Sequence, residues 1–177
     1  MATIKYPHLF EPITLSGTYF RNRIFSSPTG WEDMDRNCIP SRDAVAYYER
    51  KAKGGCASVT LGELVVDSKI GKSGMRHIPL DDPWATYPLF RITNAVKAQG
   101  ANVSAELAHA GLYASRLSGK TGEESRGLAY GPVDMEKDGL FIIGMSEEMI
   151  WETIEKFANA AAFAKYCGFS MVTVHAA

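Results

Sequence analysis

An alternation constrains this chain more than any other feature: short apolar runs separated, three times over, by stretches with helical spacing. After "LFEPITL" and a turn at Ser16-Gly17, "RNRIFSSP" reads as a strand ending at Pro28. "SRDAVAYYERKAKGG" follows, with Ser41 as N-cap, Val45, Tyr48 and Ala52 at helical intervals, and a Gly54-Gly55 stop. "CASVTLGELVV" has the apolar density of a buried strand. "DDPWATYPLFRITNAVKAQG" opens on Asp-Pro and closes at Gly100, as a helix does. "ANVSAEL" reads as a third strand, and a long glycine-rich loop, "HAGLYASRLSGKTGEESRGLAYGPVD", comes next. "MSEEMIWETIEKFANAAAFAKYCG" begins at Ser146 with acids in its first turn and ends at Gly168. "FSMVTVH" is the fourth strand.

The order β-α-β-α-β-α-β predicts an α/β fold with parallel strands covered by helices. Two architectures satisfy it: an open doubly wound sheet, or part of a (β/α)8 barrel. Both place their chemistry at the carboxyl ends of the strands. No GxGxxG follows the first strand and no GxxxxGK[ST] occurs, so the usual dinucleotide and P-loop phosphate cradles are missing.

The 177 residues suffice for one domain with a sizeable core, and 46% apolar with 22% charged residues is ordinary globular composition. A net charge of −1 supplies no long-range field for nucleic acid or anionic lipid. No apolar run approaches the ~18 residues of a membrane span. The N-terminus lacks the basic-then-apolar order of a signal peptide. Cys38, Cys56 and Cys167 are odd in number and far apart, which suggests neither a disulfide framework nor a metal knuckle. The expectation is a cytoplasmic protein with no nucleic-acid or membrane partner.

At the strand tips stand Ser27-Pro28-Thr29-Gly30, then Gly62-Glu63, then Glu106 with His109 and Gly111, and finally His175. Each has a plain structural reading. Pro28 can end a strand, Gly30 can serve a turn, Glu63 can be a solvated loop acid, and a lone His109 in a loop is more often structural than catalytic. Glu106 lies within a strand, where an ionised carboxylate is costly unless paired. Their coincidence carries more weight. Two histidines emerge where donors to an anionic oxygen would stand, and small residues let a flat ligand approach backbone amides. From the residues alone this yields a ligand site at the carboxyl face of a parallel α/β protein, without a reaction class.

The same residues resemble the old yellow enzyme family of FMN-dependent ene-reductases, the NADH:flavin oxidoreductases. "LFEPITL…RNRIFSSPTG" looks like that family's opening "LF.P…L…NRI…P" segment, and "AELAHAG" is similar to its "QLxHxGR". "GPVD" sits where the family often has a Pro-Ser pair. "FANAAAFAKYCGFSMVTVHAA" looks like "F..AA..A..AGFD.VEIHxAxGYL" and is the most specific match.

The resemblance implies a (β/α)8 TIM barrel holding FMN at the carboxyl ends of its strands. Hydride then passes from NADH or NADPH through the flavin to the C=C of a small α,β-unsaturated carbonyl compound. It implies that Ser27, Pro28, Thr29 and Gly30 lie along the flavin ring and that Gly62 and Glu63 form the second-strand tip. Glu106 takes the place of a glutamine on the pyrimidine side, and His175 is the first of two residues that grip the substrate carbonyl.

Four departures stand out: Glu106 itself, Glu63 where a small residue is usual, Leu112 for the arginine of "HxGR", and Gly30 in place of a flavin-tuning side chain. With "TLGE", they are closest to the anaerobic enoate and bile-acid-type branch, where an iron–sulfur cluster belongs to a longer parent; residues 1–177 supply no cluster ligands.

The family motif continues past Ala177, so the expectation is that residues 1–177 are the N-terminal half of the FMN domain, about its first four β/α units. On this expectation the isolated chain is inactive and pairs as a homo-oligomer. The alternative is a non-catalytic, self-associating half-barrel without flavin. An aldolase-like lyase fits poorly, because no lysine stands at a strand tip for a Schiff base.

Overall fold

The computed structural model describes residues 5–30, 38–73, 77–116, 129–137 and 140–176. A hairpin of β1 (Ile13–Leu15) and β2 (Thr18–Phe20) comes first, turning through Ser16 and Gly17, both at positive φ. Then follow β3 (Phe25–Thr29), α1 (Arg42–Lys53), β4 (Ser58–Val65), β5 (Ile78–Pro79), α2 (Thr86–Ala98) and β6 (Asn102–Ala108). The long loop contains a 3-10 turn (Gly111–Arg116) and β7 (Ala129–Gly131), β8 (Met135–Lys137) and β9 (Leu140–Gly144). The chain closes with α3 (Glu147–Tyr166) and β10 (Met171–Val174).

The helices begin where their caps require. Ser41 Oγ accepts from the N–H groups of Asp43 (3.2 Å) and Ala44 (3.4 Å), and Ser146 Oγ from that of Met149 at 3.2 Å. Each satisfies a donor that the first helical turn leaves without an intrahelical partner. Before α2, Asp82 Oδ1 accepts from the Trp84 N–H at 2.9 Å and sets a 3-10 turn (Pro83–Ala85) that feeds the helix.

The main sheet runs β3-β4-β6-β10, all parallel, in the order of the sequence. A doubly wound sheet reverses direction at a switch point. This one never does. Every connection steps the same way, so right-handed crossovers put all three helices on one face and the sheet forms an arc of a barrel wall. β5 pairs with Leu64 and Val65, beyond the end of the pairing with β3.

Strand alternation separates two faces. Val59, Leu61, Val103, Ala105 and Leu107 point outward and pack with Tyr48 of α1, Leu89, Ile92 and Val96 of α2, and Ala160 and Ala164 of α3 in one buried cluster. Truncating a leucine at such a site typically costs about 2–5 kcal/mol. The opposite face carries Ser58, Thr60, Ser104 and Glu106, buried although polar. There Ser104 and Thr173 share a hydroxyl hydrogen bond of 3.0 Å.

The "RNR" triplet closes the amino end of the sheet. Arg21 donates to the carbonyls of Gln99 (2.7 Å), Ala52 (2.6 Å) and Cys56 (2.8 Å), taking up acceptors that the ends of α1 and α2 leave open. Asn22 donates to Gly55 O at 2.7 Å, and Asn102 at the start of β6 donates to Tyr19 O at 2.8 Å. The hairpin is thereby fixed against the end of the wall opposite the strand tips.

Candidate functional site

At the carboxyl end of β4 the ladder breaks. Leu61 pairs with Ala105 and Leu64 with Leu107, so Gly62 and Glu63 together face Glu106 alone. This two-against-one bulge re-aims the strand tip. The Gly62–Glu63 peptide bond is cis. Gly62 cannot carry a side chain there: a Cβ would lie 2.1 Å from Glu106 Oε2 and 2.8 Å from Pro28 Cβ. A Cβ on Gly30 would meet Gly62 O at 3.0 Å. The three strand tips thus meet in close contact.

Pro28, Gly30, Gly62, Glu63, His77, Glu106 and His175 line one open depression of ≈ 430 Å³. Glu106 is 7% exposed, and among the described residues neither of its carboxyl oxygens has a hydrogen-bond partner. Burial pushes its titration above the ordinary carboxylate value; the His175 charge acts in the opposite direction, and Glu63 reinforces the rise. Glu63 stands 3.4 Å from His77 Nδ1. That is ion-pair distance without hydrogen-bond geometry, for the same nitrogen is buried without a hydrogen-bond partner. His175 follows β10, its N–H donating to Leu107 O at 3.0 Å, and its side chain is exposed at the rim.

Of the residues expected at this site, Pro28, Gly30, Gly62, Glu63, Glu106 and His175 stand together on the depression. Ser27 and Thr29 share the β3 tip but do not line it. Thr29 is turned toward α1, where its Oγ1 accepts from Lys51 Nζ at 2.9 Å and its carbonyl from the Tyr48 hydroxyl at 2.7 Å. His77 lines the depression and carried no sequence signal, since it lies in the connection just before the two-residue strand β5.

His109 is a correction. It does not join His175 on the depression: its Nδ1 accepts from the Gly111 N–H at 3.1 Å, which places the ring proton on Nε2, and the ring lies against Gly71. Burial lowers its basicity; Asp67 raises it and Lys156 lowers it further. Nearby, Lys156 of α3 donates to Asp67, which is 2% exposed. This ion pair ties α3 to the segment after β4. It is structural in position.

The NADH:flavin oxidoreductase / NADH oxidase family matches residues 8–177. The chain belongs to this family. It is 31% identical over 184 residues to the 4,4'-dithiodibutanoate disulfide reductase of Rhodococcus erythropolis, covering 99% of this chain and 42% of that protein. It is 28% identical over 181 residues to an NADPH dehydrogenase of Bacillus subtilis (strain 168), covering 96% of this chain and 48% of that one. The chain therefore spans less than half the length of these curated relatives. Morphinone reductase superposes with a TM-score of 0.84 at 20% identity, over 99% of this chain and 50% of its own. Old Yellow Enzyme from Pichia sp. AKU4542 gives a TM-score of 0.82 at 21% identity, over 95% and 45%. These likenesses establish the old yellow enzyme TIM-barrel fold, of which the described strands form a part. Among the described residues no helix is long and apolar enough to cross a membrane.

The family's cofactors are FMN and NADH or NADPH. The residues present fit a flavin on two observations. Gly30 and Gly62 leave a wall without side chains, where a Cβ would intrude, and Glu106, 7% exposed as a residue, lines the depression with a carboxyl that has no partner among the described residues. Among the described residues no group of three or more His, Cys, Asp or Glu could hold a metal ion.

Proposed function

We propose that residues 1–177 supply about the first four β/α units of an FMN-dependent reductase. Its substrate is the C=C bond of a small α,β-unsaturated carbonyl compound. The observation that carries the reading is the convergence of Gly30, Gly62, Glu106 and His175, from four different strand tips, on one depression. Bound FMN supplies hydride uptake from NADH or NADPH and its delivery to carbon. The chain's own residues do the rest. Pro28, Gly30 and Gly62 form a low wall for a flat ring, Glu106 meets a polar ring edge, and His175 donates a hydrogen bond from the rim to a carbonyl oxygen as charge builds there. The Glu63–His77 pair adds a second polar group at the mouth.

The test mixes a flavin-loaded, NADPH-reduced reductase that carries residues 1–177 as these first units anaerobically with 2-cyclohexenone and, separately, with an aliphatic disulfide, the substrate class named for the Rhodococcus relative. Flavin reoxidation by the enone, returning saturated ketone, supports the reading. Reoxidation by the disulfide alone contradicts it. A second reading, self-association without flavin, is favoured by Val172 and Val174 of β10, which are 41% and 60% exposed. Light scattering of a colourless, folded preparation distinguishes it.

A further inference from the structure

Among the described residues lining the depression, Glu106 is the one acid that is more than nine-tenths buried as a residue and whose carboxyl has no hydrogen bond or ion pair of its own. Its Oε2 occupies the space a side chain on Gly62 would take, 2.1 Å from where a Cβ would stand. Among the described residues, the charged and titratable groups facing it are Glu63 from β4, His77 beside Glu63, and His175 after β10. The β3 wall, Pro28 and Gly30, contributes none. The nearest described carboxylate is thus itself paired to an imidazole, and among the described residues Glu106 has no cation at hydrogen-bond distance.

A flavin presents an imide edge to such a group: a carbonyl, an N–H and a second carbonyl, in the order acceptor, donor, acceptor. An ionised carboxylate has only acceptors. One of its oxygens would accept from the imide N–H while the other faced a ring carbonyl, lone pair against lone pair. A protonated carboxyl has one donor and one acceptor side by side and matches two adjacent positions of that edge, the N–H and one carbonyl. Resting on the FMN reading, we propose that this chain binds flavin with uptake of one solvent proton onto Glu106, the carboxyl being neutral in the complex. The proton comes from bulk water, no bond to carbon is made or broken, and the ionised apo carboxylate is the form that flavin disfavours. Glu63 acts as a positioning charge, since its proximity disfavours a second carboxylate at Glu106.

The experiment titrates the chain with riboflavin, which lacks the phosphate whose own ionisation would confuse the result, and with FMN. Flavin fluorescence quenching is followed from about pH 5 to about pH 8.5. Calorimetry in two buffers of different ionisation enthalpy counts the protons taken up. In the wild type, riboflavin affinity falls about tenfold per pH unit once the apo carboxyl is ionised, and proton uptake approaches one per ligand. Glu106→Gln removes both the slope and the uptake. Glu63→Gln moves the onset of the loss to lower pH, because Glu106 then ionises more readily. A pH-independent wild-type affinity with no proton uptake overturns the proposal, as does an unchanged slope in Glu106→Gln. If Glu106→Gln does not fold, the wild-type proton count and the Glu63→Gln shift still decide. If the folded wild type binds neither flavin at any pH, the FMN reading of this chain fails, and that outcome is distinct from binding without proton linkage.

Discussion

Glu106 Oε2 occupies the space in which a side chain on Gly62 would begin: a Cβ there would be 2.1 Å away. The placement of the Glu106 carboxyl on one strand thus requires a glycine on the next. Gly62→Ala forces the bulge, Glu106 or Pro28 to move. We expect a loss of about 1–3 kcal/mol, typical of overpacking, and a Tm lower by roughly 2–4 °C for each kcal/mol. Flavin retention should fall with it. The pair Gly62→Ala/Glu106→Ala should recover part of the stability in a double-mutant cycle. Additive losses would show that the two residues are not coupled.

The β3 tip is held from behind. The buried Tyr48 hydroxyl donates to Thr29 O at 2.7 Å, and Tyr48→Phe leaves that carbonyl without this donor. The expected cost is about 0.5–1.5 kcal/mol, read as a lower urea midpoint with unchanged slope. An unchanged midpoint would mean the tie contributes nothing.

Asp67 makes part of the stability acid-sensitive. Burial by itself would raise its titration, but the Lys156 hydrogen bond, the N–H groups of Lys69 and Ile70 and the Lys156 charge together hold it below its ordinary value of 3.8. A carboxyl depressed in the folded state contributes stability that is present above its unfolded value and lost as pH falls through its folded value. Lys156→Met should therefore cost about 1–3 kcal/mol at neutral pH, toward the lower end because Lys156 is partly exposed to screening solvent. The gap to wild type should close in thermal melts below about pH 4. A gap that persists in acid would rule out the ion pair as its source.

The helices and the four main strands were legible because each carries a long periodic or capped signal: Ser41 and Ser146 mark helix starts, and Val59, Leu61, Val103, Ala105 and Leu107 mark the outward faces. The order of elements alone left barrel or doubly wound sheet open; the family resemblance pointed to the barrel, and the strand order β3-β4-β6-β10 agrees with it. The strands β5, β7, β8 and β9 have two to five residues each, too few for a period; β5 pairs with the end of β4, and β7, β8 and β9 pair with one another within and just after the stretch that reads as glycine-rich loop. Part of that loop, residues 117–128, lies outside the described residues. Within the site, Gly62 and Glu106 were visible as types but not as a contact, because the bulge that joins them depends on cross-strand register. Thr29 and His109 were placed at strand tips correctly, but the direction of each side chain is set by Lys51 and Tyr48 in one case and by Gly111 in the other.

His175 is expected to act on substrate. His175→Ala removes the rim donor, and in the reductase to which these first four units are proposed to belong, kcat/KM for an unsaturated ketone should fall by about 10²-fold or more, the usual consequence of losing one donor to a developing oxyanion. Bound flavin is measured in parallel from its visible absorbance. An unchanged kcat/KM at equal flavin content would remove His175 from the carbonyl contact.

The most direct test of the account is whether the chain holds flavin at this depression. The 177-residue protein is incubated with FMN, passed through gel filtration, and its visible spectrum and flavin-to-protein ratio are recorded beside its circular dichroism. The account predicts a yellow, folded protein with flavin retained in equimolar amount, and its loss in Gly62→Ala. A folded wild-type chain that elutes colourless would contradict it.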